Sequence, residues 1–161
     1  MQGELYTIDD SAIFYLAGRG HITAKICGDL RNQVFDAIDR ENPIKRVLVY
    51  LENCQYMDST FIGLLVGINK RLLKLANTRL EIVRPSKEVL EILDKLSVLA
   101  LVDVLTDAPT FPAHAQPLQI NQGIGPEDVL TSHEALMELS PDNQERFRGL
   151  HDILIKREKS N

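Results

Sequence analysis

The fold of this chain is decided by the stretch Val47-Leu48-Val49-Tyr50-Leu51-Glu52-Asn53-Cys54-Gln55-Tyr56-Met57-Asp58-Ser59-Thr60-Phe61-Ile62-Gly63-Leu64-Leu65. It begins with an apolar run from Val47 to Leu51 that is rich in β-branched and aromatic side chains. Such a run predicts a strand buried on both faces, in the middle of a parallel sheet. Asn53 and Gln55 then interrupt the run and predict a short loop.

A helix is predicted to begin at Asp58-Ser59-Thr60, because short side chains that carry oxygen favour helix N-caps. Apolar residues then recur at helical spacing, at Phe61, Leu64 or Leu65, Ile68, Leu72 and Leu75. The hydroxyls of Ser59 and Thr60 would lie near free backbone N–H groups, where a phosphate is well tolerated. The local pattern alone favours simple capping over a regulatory site, since many ordinary helices begin with the same signal.

Around this stretch the sequence predicts alternating strands and helices. Strands are expected at 4–8, 12–17, 79–84 and 100–105, helices from Thr23 to about Arg40 and after Ser86, and a loop at 18–20. Strand–helix repeats give right-handed parallel sheets. The predicted fold class is therefore α/β, with a four- or five-stranded, mostly parallel sheet, Val47–Leu51 central and the helices on one side.

The composition changes after residue 106. Residues 107–125 contain several prolines and predict an extended linker. Gly125-Pro126-Glu127-Asp128 and Ser140-Pro141-Asp142 are helix start signals, so residues 126–161 are predicted to form a helical hairpin. We expect its apolar residues, among them Phe147, Leu150 and Ile153, to pack on the α/β domain or on a second copy of the hairpin, because two short amphipathic helices are marginal alone.

The overall composition excludes several function classes. The 161 residues are 44% hydrophobic and 25% charged with a net charge of −5, as in ordinary globular proteins and unlike nucleic-acid binders. Cys27 and Cys54 form no motif and are expected to be reduced. No apolar run approaches the roughly 20 residues of a membrane span, and the start of the chain lacks the pattern of a signal peptide. A cytoplasmic location is expected.

No pattern of catalytic or metal-binding residues stands out. The four histidines are far apart, lack metal-ligand spacing, and are expected to be solvated or in the linker. Ser59 is not in a G-x-S-x-G elbow, and no phosphate-binding G-x-x-x-x-G-K-[ST] motif occurs. We therefore expect no enzyme activity, no cofactor and no metal.

The segment Met57-Asp58-Ser59-Thr60-Phe61-Ile62-Gly63-Leu64 resembles the signature of the STAS domain, the anti-sigma factor antagonist family. The family pattern is a hydrophobic residue, Asp-Ser-Ser or Asp-Ser-Thr, then Gly-hydrophobic-Gly. The resemblance extends over roughly residues 4 to 106 in length and element order, so residues 1–106 are expected to form a STAS-like domain. Phe61 replaces the first Gly of the motif, and the loop at 18–23 lacks the Asp that often follows the second strand in phosphorylated members.

The resemblance implies an anti-sigma factor antagonist, a phosphorylation-switched binding module of a bacterial partner-switching pathway. Ser59 is then the phosphorylated residue and Thr60 a lesser candidate. The implied partners are an anti-sigma factor serine kinase, which binds unphosphorylated Ser59, and a phosphatase. The alternative is a constitutive STAS scaffold or transporter-associated module without phosphorylation, which Phe61 and the missing loop Asp favour.

The expected partner-binding surface is the start of the predicted helix. Asp58 should cap the helix, Ser59 should expose its hydroxyl, and a partly apolar patch should border it. The residues expected to contact the partner are Asp58, Ser59, Thr60, Phe61, Ile62 and Gly63. A homodimer through the C-terminal helices is also considered.

Overall fold

The computed structural model describes residues 3 to 160, which form seven strands and five helices. The strands are β1 (Glu4–Asp10), β2 (Ile13–Ile22), β3 (Arg46–Tyr50), β4 (Cys54–Met57), β5 (Glu81–Val83), β6 (Asp103–Leu105) and β7 (Gln116–Pro117). The helices are α1 (Cys27–Asp39), α2 (Ser59–Ala76), α3 (Lys87–Lys95), α4 (Pro126–Met137) and α5 (Pro141–Ser160), and a short 3-10 turn (Ala24–Ile26) precedes α1.

The sheet has the order β6-β5-β3-β2-β1-β7, and β4 pairs with the far end of β2. Strand β3 lies between β2 and β5 and is parallel to both, which confirms the predicted central strand. The pairs β2–β4 and β5–β6 are also parallel, whereas β1 is antiparallel to β2 and to β7. The predicted α/β class with a mostly parallel sheet is confirmed.

The strand count exceeds the four or five predicted, because two short strands lie in segments interpreted as loop and linker. Strand β4 has four residues and β7 has two, too few to produce a recognisable alternation of apolar and polar side chains. The loop predicted at 18–20 is wrong. Strand β2 continues to Ile22 through a register shift between Gly20 and His21, so its end can pair with β4.

The two faces of the sheet are covered differently. On one face, side chains of β2, β3 and β5 such as Leu16, Val49 and Ile82 pack with apolar residues of α1, α2 and α3. On the other face, Tyr15, Leu48 and Tyr50 form a second apolar cluster to which none of the helices within residues 3–160 contributes. The predicted placement of the helices on one side is confirmed.

The segment after β6 covers the helix-free face. Phe111 meets the rings of Tyr15 and Tyr50 edge-on, with centroids 6.5 and 5.2 Å apart. The Tyr50 hydroxyl donates to the carbonyl of Pro109 over 2.6 Å. Residues 107–117 therefore lie along the sheet, and the proposed domain division at residues 106 and 126 stays a prediction.

The C-terminal helices begin where their signals predicted. The Asp128 carboxylate accepts from the backbone N–H of Gly125 at the start of α4, and the Ser140 hydroxyl accepts from the N–H of Asn143 at the start of α5. The hairpin packs on the α/β domain through Leu136 and Phe147. Leu150 and Ile153 do not pack on the α/β domain as one alternative predicted, because they are 42% and 53% exposed. Their packing on a second copy of the hairpin stays a prediction.

Among the helices of residues 3–160, none combines the length and apolar character needed to cross a membrane. Within the same residues, no group of three or more His, Cys, Asp or Glu side chains could hold a metal ion.

Candidate functional site

Asp58 holds the start of α2 with both of its carboxylate oxygens. One oxygen accepts from the backbone N–H of Phe61 over 2.9 Å, which is the N-cap bond that the sequence predicted. The other accepts from the backbone N–H of Ala24 over 2.6 Å. Thr23, where a helix was predicted to begin, makes no side-chain cap bond and precedes the 3-10 turn that leads into α1. Asp58 therefore fixes the beginning of α2 to the turn that follows β2.

Ser59 is the first residue of α2, and its hydroxyl contacts a histidine of α4. Its oxygen lies 2.9 Å from Nε2 of His133, and Ser59 is half-buried. The imidazole of His133 is 2% exposed and stacks on the ring of Phe147 with centroids 4.9 Å apart. The expectation of a freely exposed Ser59 hydroxyl is therefore wrong for this structure.

His133 is a buried histidine whose surroundings shift its pKa. Burial lowers its pKa, the Asp58 carboxylate partly opposes that shift, and His151 adds to it. Its Nδ1 atom has no hydrogen-bond partner among the described residues. Whichever tautomer is present, one ring nitrogen is therefore unsatisfied, which costs free energy in a buried position. The prediction that all the histidines are solvated or in the linker is wrong for His133.

The remaining predicted site residues are buried or lie against α4. Thr60 is 5% exposed, and Phe61 and Ile62 have no exposed surface. A Cβ atom added to Gly63 would lie 2.2 Å from the carbonyl oxygen of Ser132, so the two helices touch there backbone to backbone. The structure thus brings the six predicted residues together, and the apolar patch expected beside them is occupied by α4. Whether they bind a partner stays a prediction.

His133 could have been found in the sequence from the spacing of its neighbours. Leu130, Leu136 and Met137 lie three or four residues from it, which places His133 on the apolar stripe of α4. Its partner could not have been found, because Ser59 and His133 are 74 positions apart in the sequence and no local pattern predicts such a pairing.

Comparisons with known proteins agree with this architecture. The family model "STAS domain" matches residues 4–116. The structure of the anti-sigma factor antagonist SpoIIAA in its unphosphorylated form is similar, with a TM-score of 0.56 at 17% identity, covering 65% of this chain and 89% of that one. The Bacillus cell fate determinant SpoIIAA in its phosphorylated form gives 0.52 at 15% identity, covering 65% and 92%.

A third similar structure is a Thermotoga maritima protein provisionally described as an anti-sigma factor antagonist. Its TM-score is 0.52 at 19% identity, covering 62% of this chain and 82% of that one. None of the curated proteins compared with this sequence matches it. At these identities the structural likenesses establish the fold. The family model ends before α4, so two helices lie beyond the matched region. Because the model spans most of the sequence, this chain belongs to the STAS domain family.

Proposed function

We propose that this protein is an anti-sigma factor antagonist that is switched by phosphorylation of Ser59. In the unphosphorylated form it binds an anti-sigma factor with serine kinase activity, and a phosphatase restores this form after phosphorylation. The observation that carries the proposal is the position of Ser59, which directly follows the capping Asp58 as the first residue of α2. That is the position of the phosphorylated serine in the family motif.

The physics of a helix start supports such a switch. A phosphate on Ser59 would lie near the unpaired N–H groups and the positive end of the dipole of α2, so the fold would tolerate it. It would also add about −1.5 to −2 charges at neutral pH to the contact surface. A penalty of about 3 kcal/mol for repulsion and lost hydration would weaken a docked partner more than a hundredfold. Thr60 is a lesser acceptor, because it is buried.

The test uses purified full-length protein, ATP and an anti-sigma factor kinase encoded near its gene. Wild type should incorporate phosphate, Ser59→Ala should not, and Thr60→Ala should behave like wild type. Calorimetry should give equal affinities for wild type and Ser59→Ala, and a weaker affinity for Ser59→Asp. Equal affinities for all three, together with no phosphate incorporation, would refute the switch.

A second candidate function is a constitutive STAS scaffold or transporter-associated module. Two observations favour it. Phe61, which stands in place of the first motif glycine, is fully buried in the core, and the Ser59 hydroxyl is engaged by His133. Such a module would bind its partner with the same affinity whether or not position 59 carries a negative charge.

In both cases we infer a cytoplasmic module that acts by binding other proteins, without catalysis or a cofactor. Self-association through the C-terminal helices is part of this proposal. Leu150 and Ile153 are the apolar side chains of α5 that would mediate it, because they are large and exposed.

A further inference from the structure

Helix α4 lies against the first turns of α2 and covers the Ser59 region. The contact is close at Gly63, where any side chain would collide with the carbonyl of Ser132. One turn earlier, Ser59 meets His133. Leu136 then inserts its fully buried side chain into the main core. The surface expected to receive a protein partner is therefore already filled by a helix of the same chain.

Polar anchors outside this contact hold α4 and α5 in place. The Asp29 carboxylate accepts from the backbone N–H groups of Asn121, Gln122 and Gly123, at 3.2, 3.0 and 3.1 Å. Desolvation by burial raises the pKa of Asp29, but the three hydrogen bonds together outweigh it and lower the pKa. Asp29 thus fixes the segment that leads into α4 to the start of α1.

The other anchors join the hairpin to α1 and α3. Arg31 of α1 forms an ion pair with Asp128 at 2.7 Å. The side-chain amide of Asn143 donates to the carbonyl of Leu96, at the end of α3, over 2.9 Å. The position of the hairpin is therefore set by specific directional bonds to several elements of the α/β domain.

The buried side of the hairpin is unusually polar for a core. Ser132, His133 and Asn143 are all at most 5% exposed. Nδ1 of His133 is unpaired when the hairpin is docked and would gain water when it leaves. Such mixed surfaces resemble interfaces between domains that can move relative to each other. Detachment would thus rehydrate these polar groups.

We propose that the α4–α5 hairpin is an autoinhibitory element that must detach before Ser59 can be phosphorylated or a protein partner can dock at the start of α2. The part of this proposal that concerns phosphorylation and a protein partner rests on the function proposed above. The covering of position 59 by α4 is independent of that function. If only a fraction of the molecules have an open hairpin, the apparent affinity for a partner equals the affinity of the open form multiplied by that fraction. A phosphate does not fit within the 2.9 Å between Ser59 and His133, so phosphorylation would hold the hairpin open.

The test measures access to position 59 without any kinase. Ser59→Cys is introduced into the full chain, and its reaction with the disulfide reagent DTNB is followed by the released thiolate. The native thiols give a slow background, because Cys27 and Cys54 are buried and burial raises the pKa of Cys54 to about 11. Single-site labelling at position 59 is verified by mass spectrometry.

The decisive pair of variants differs only in which glycine of α2 is replaced. Gly63→Ala adds a methyl group against Ser132, whereas Gly67→Ala adds one where no atom lies within 4 Å. Both changes favour helix formation in α2, so neither should unfold the domain, and circular dichroism checks this. We expect Ser59→Cys to react at least tenfold faster with Gly63→Ala than with Gly67→Ala, which should match the Ser59→Cys parent.

A second route opens the hairpin without touching α2. Asp29→Ala removes the clamp on residues 121–123 and should also speed labelling, whereas Asp39→Ala, which removes an exposed pair with Arg71, should not. Equal labelling rates in the parent and in both opening variants, whether fast or slow, would overturn the proposal. If the hairpin controls labelling but no anti-sigma factor kinase phosphorylates Ser59 in the Asp29→Ala protein, whose substitution lies outside the expected partner surface, autoinhibition stands and the proposed phosphorylation switch fails.

Discussion

Replacing Asn143 with alanine tests the energetics of the docked hairpin. Asn143 has no exposed surface, and its amide donates to the carbonyls of Leu96 and Leu136 over 2.9 and 2.8 Å. The Leu136 carbonyl also accepts from the N–H of Leu139. The acceptor left without a donor in the variant is therefore the Leu96 carbonyl. An unsatisfied buried acceptor costs about 1–3 kcal/mol, and lost packing of the side chain adds about 1 kcal/mol. We therefore expect a destabilisation of about 2–4 kcal/mol.

The assay is amide hydrogen exchange across α4, combined with thermal unfolding. If the hairpin opens on its own, a change of about 2–4 kcal/mol accelerates exchange in α4 by about 30-fold to several hundredfold, while β3 exchanges as in wild type. If it opens only with the domain, the melting temperature falls by about 4–16 °C. Gln144→Ala is the matched control, since residue 144 is exposed on the same helix. An Asn143→Ala protein that behaves like Gln144→Ala would refute the reasoning.

Three further predictions concern the core, the pH dependence and self-association. Val49→Asp places an unpaired charge at a fully buried position of β3, so it should destabilise the fold by several kcal/mol in circular dichroism melts. Burial lowers the pKa of His133, so protons bind the unfolded or undocked state more tightly. The free energy of unfolding should therefore lose nothing to His133 protonation above about pH 6.5 and should fall as the pH drops below that value. If the hairpins pair between two copies, Ile153→Lys should shift the protein to monomers in sedimentation velocity, because it removes an exposed apolar side chain from the contact.

The first two of these predictions have a control variant in the same chain. Val104→Asp places the same charge on an exposed strand residue and should melt like wild type; equal melting of the Val49 variant would contradict the central strand assignment. His133→Gln should flatten the decline in stability below about pH 6.5, whereas His114→Gln, at an exposed site, should keep it. A monomeric wild-type protein would remove the dimer hypothesis outright.

The parts of the fold that follow from local sequence were predictable. Strand β3 and helix α2 follow from an apolar run, a capping aspartate and a helical stripe, which act within a few residues of one another. The same holds for the start of α5 at Ser140. The candidate site was predictable to the same extent, because Asp58 caps the helix in which Ser59 lies.

What could not be predicted depends on contacts between distant segments. Strand β4 exists only because the end of β2 offers it hydrogen bonds. The docking of α4 depends on a glycine at 63 meeting a backbone carbonyl at 132, and neither residue signals the other. An amphipathic helix shows that it has a face to bury, but the sequence does not state which surface will bury it.

The segment from 107 to 117 has a practical consequence for dividing the protein into parts. A fragment ending at residue 106 would lose Phe111 and uncover the rings of Tyr15 and Tyr50. It would also lose the pairing of Gln116 and Pro117 with β1, which would leave that strand as a bare sheet edge and a template for intermolecular pairing. A form without the hairpin, for crystallisation or interaction screening, should therefore end after Leu118, whose N–H donates to the carbonyl of Leu5. We expect a shorter form to aggregate through the exposed edge of β1, which would obscure any effect of removing the hairpin.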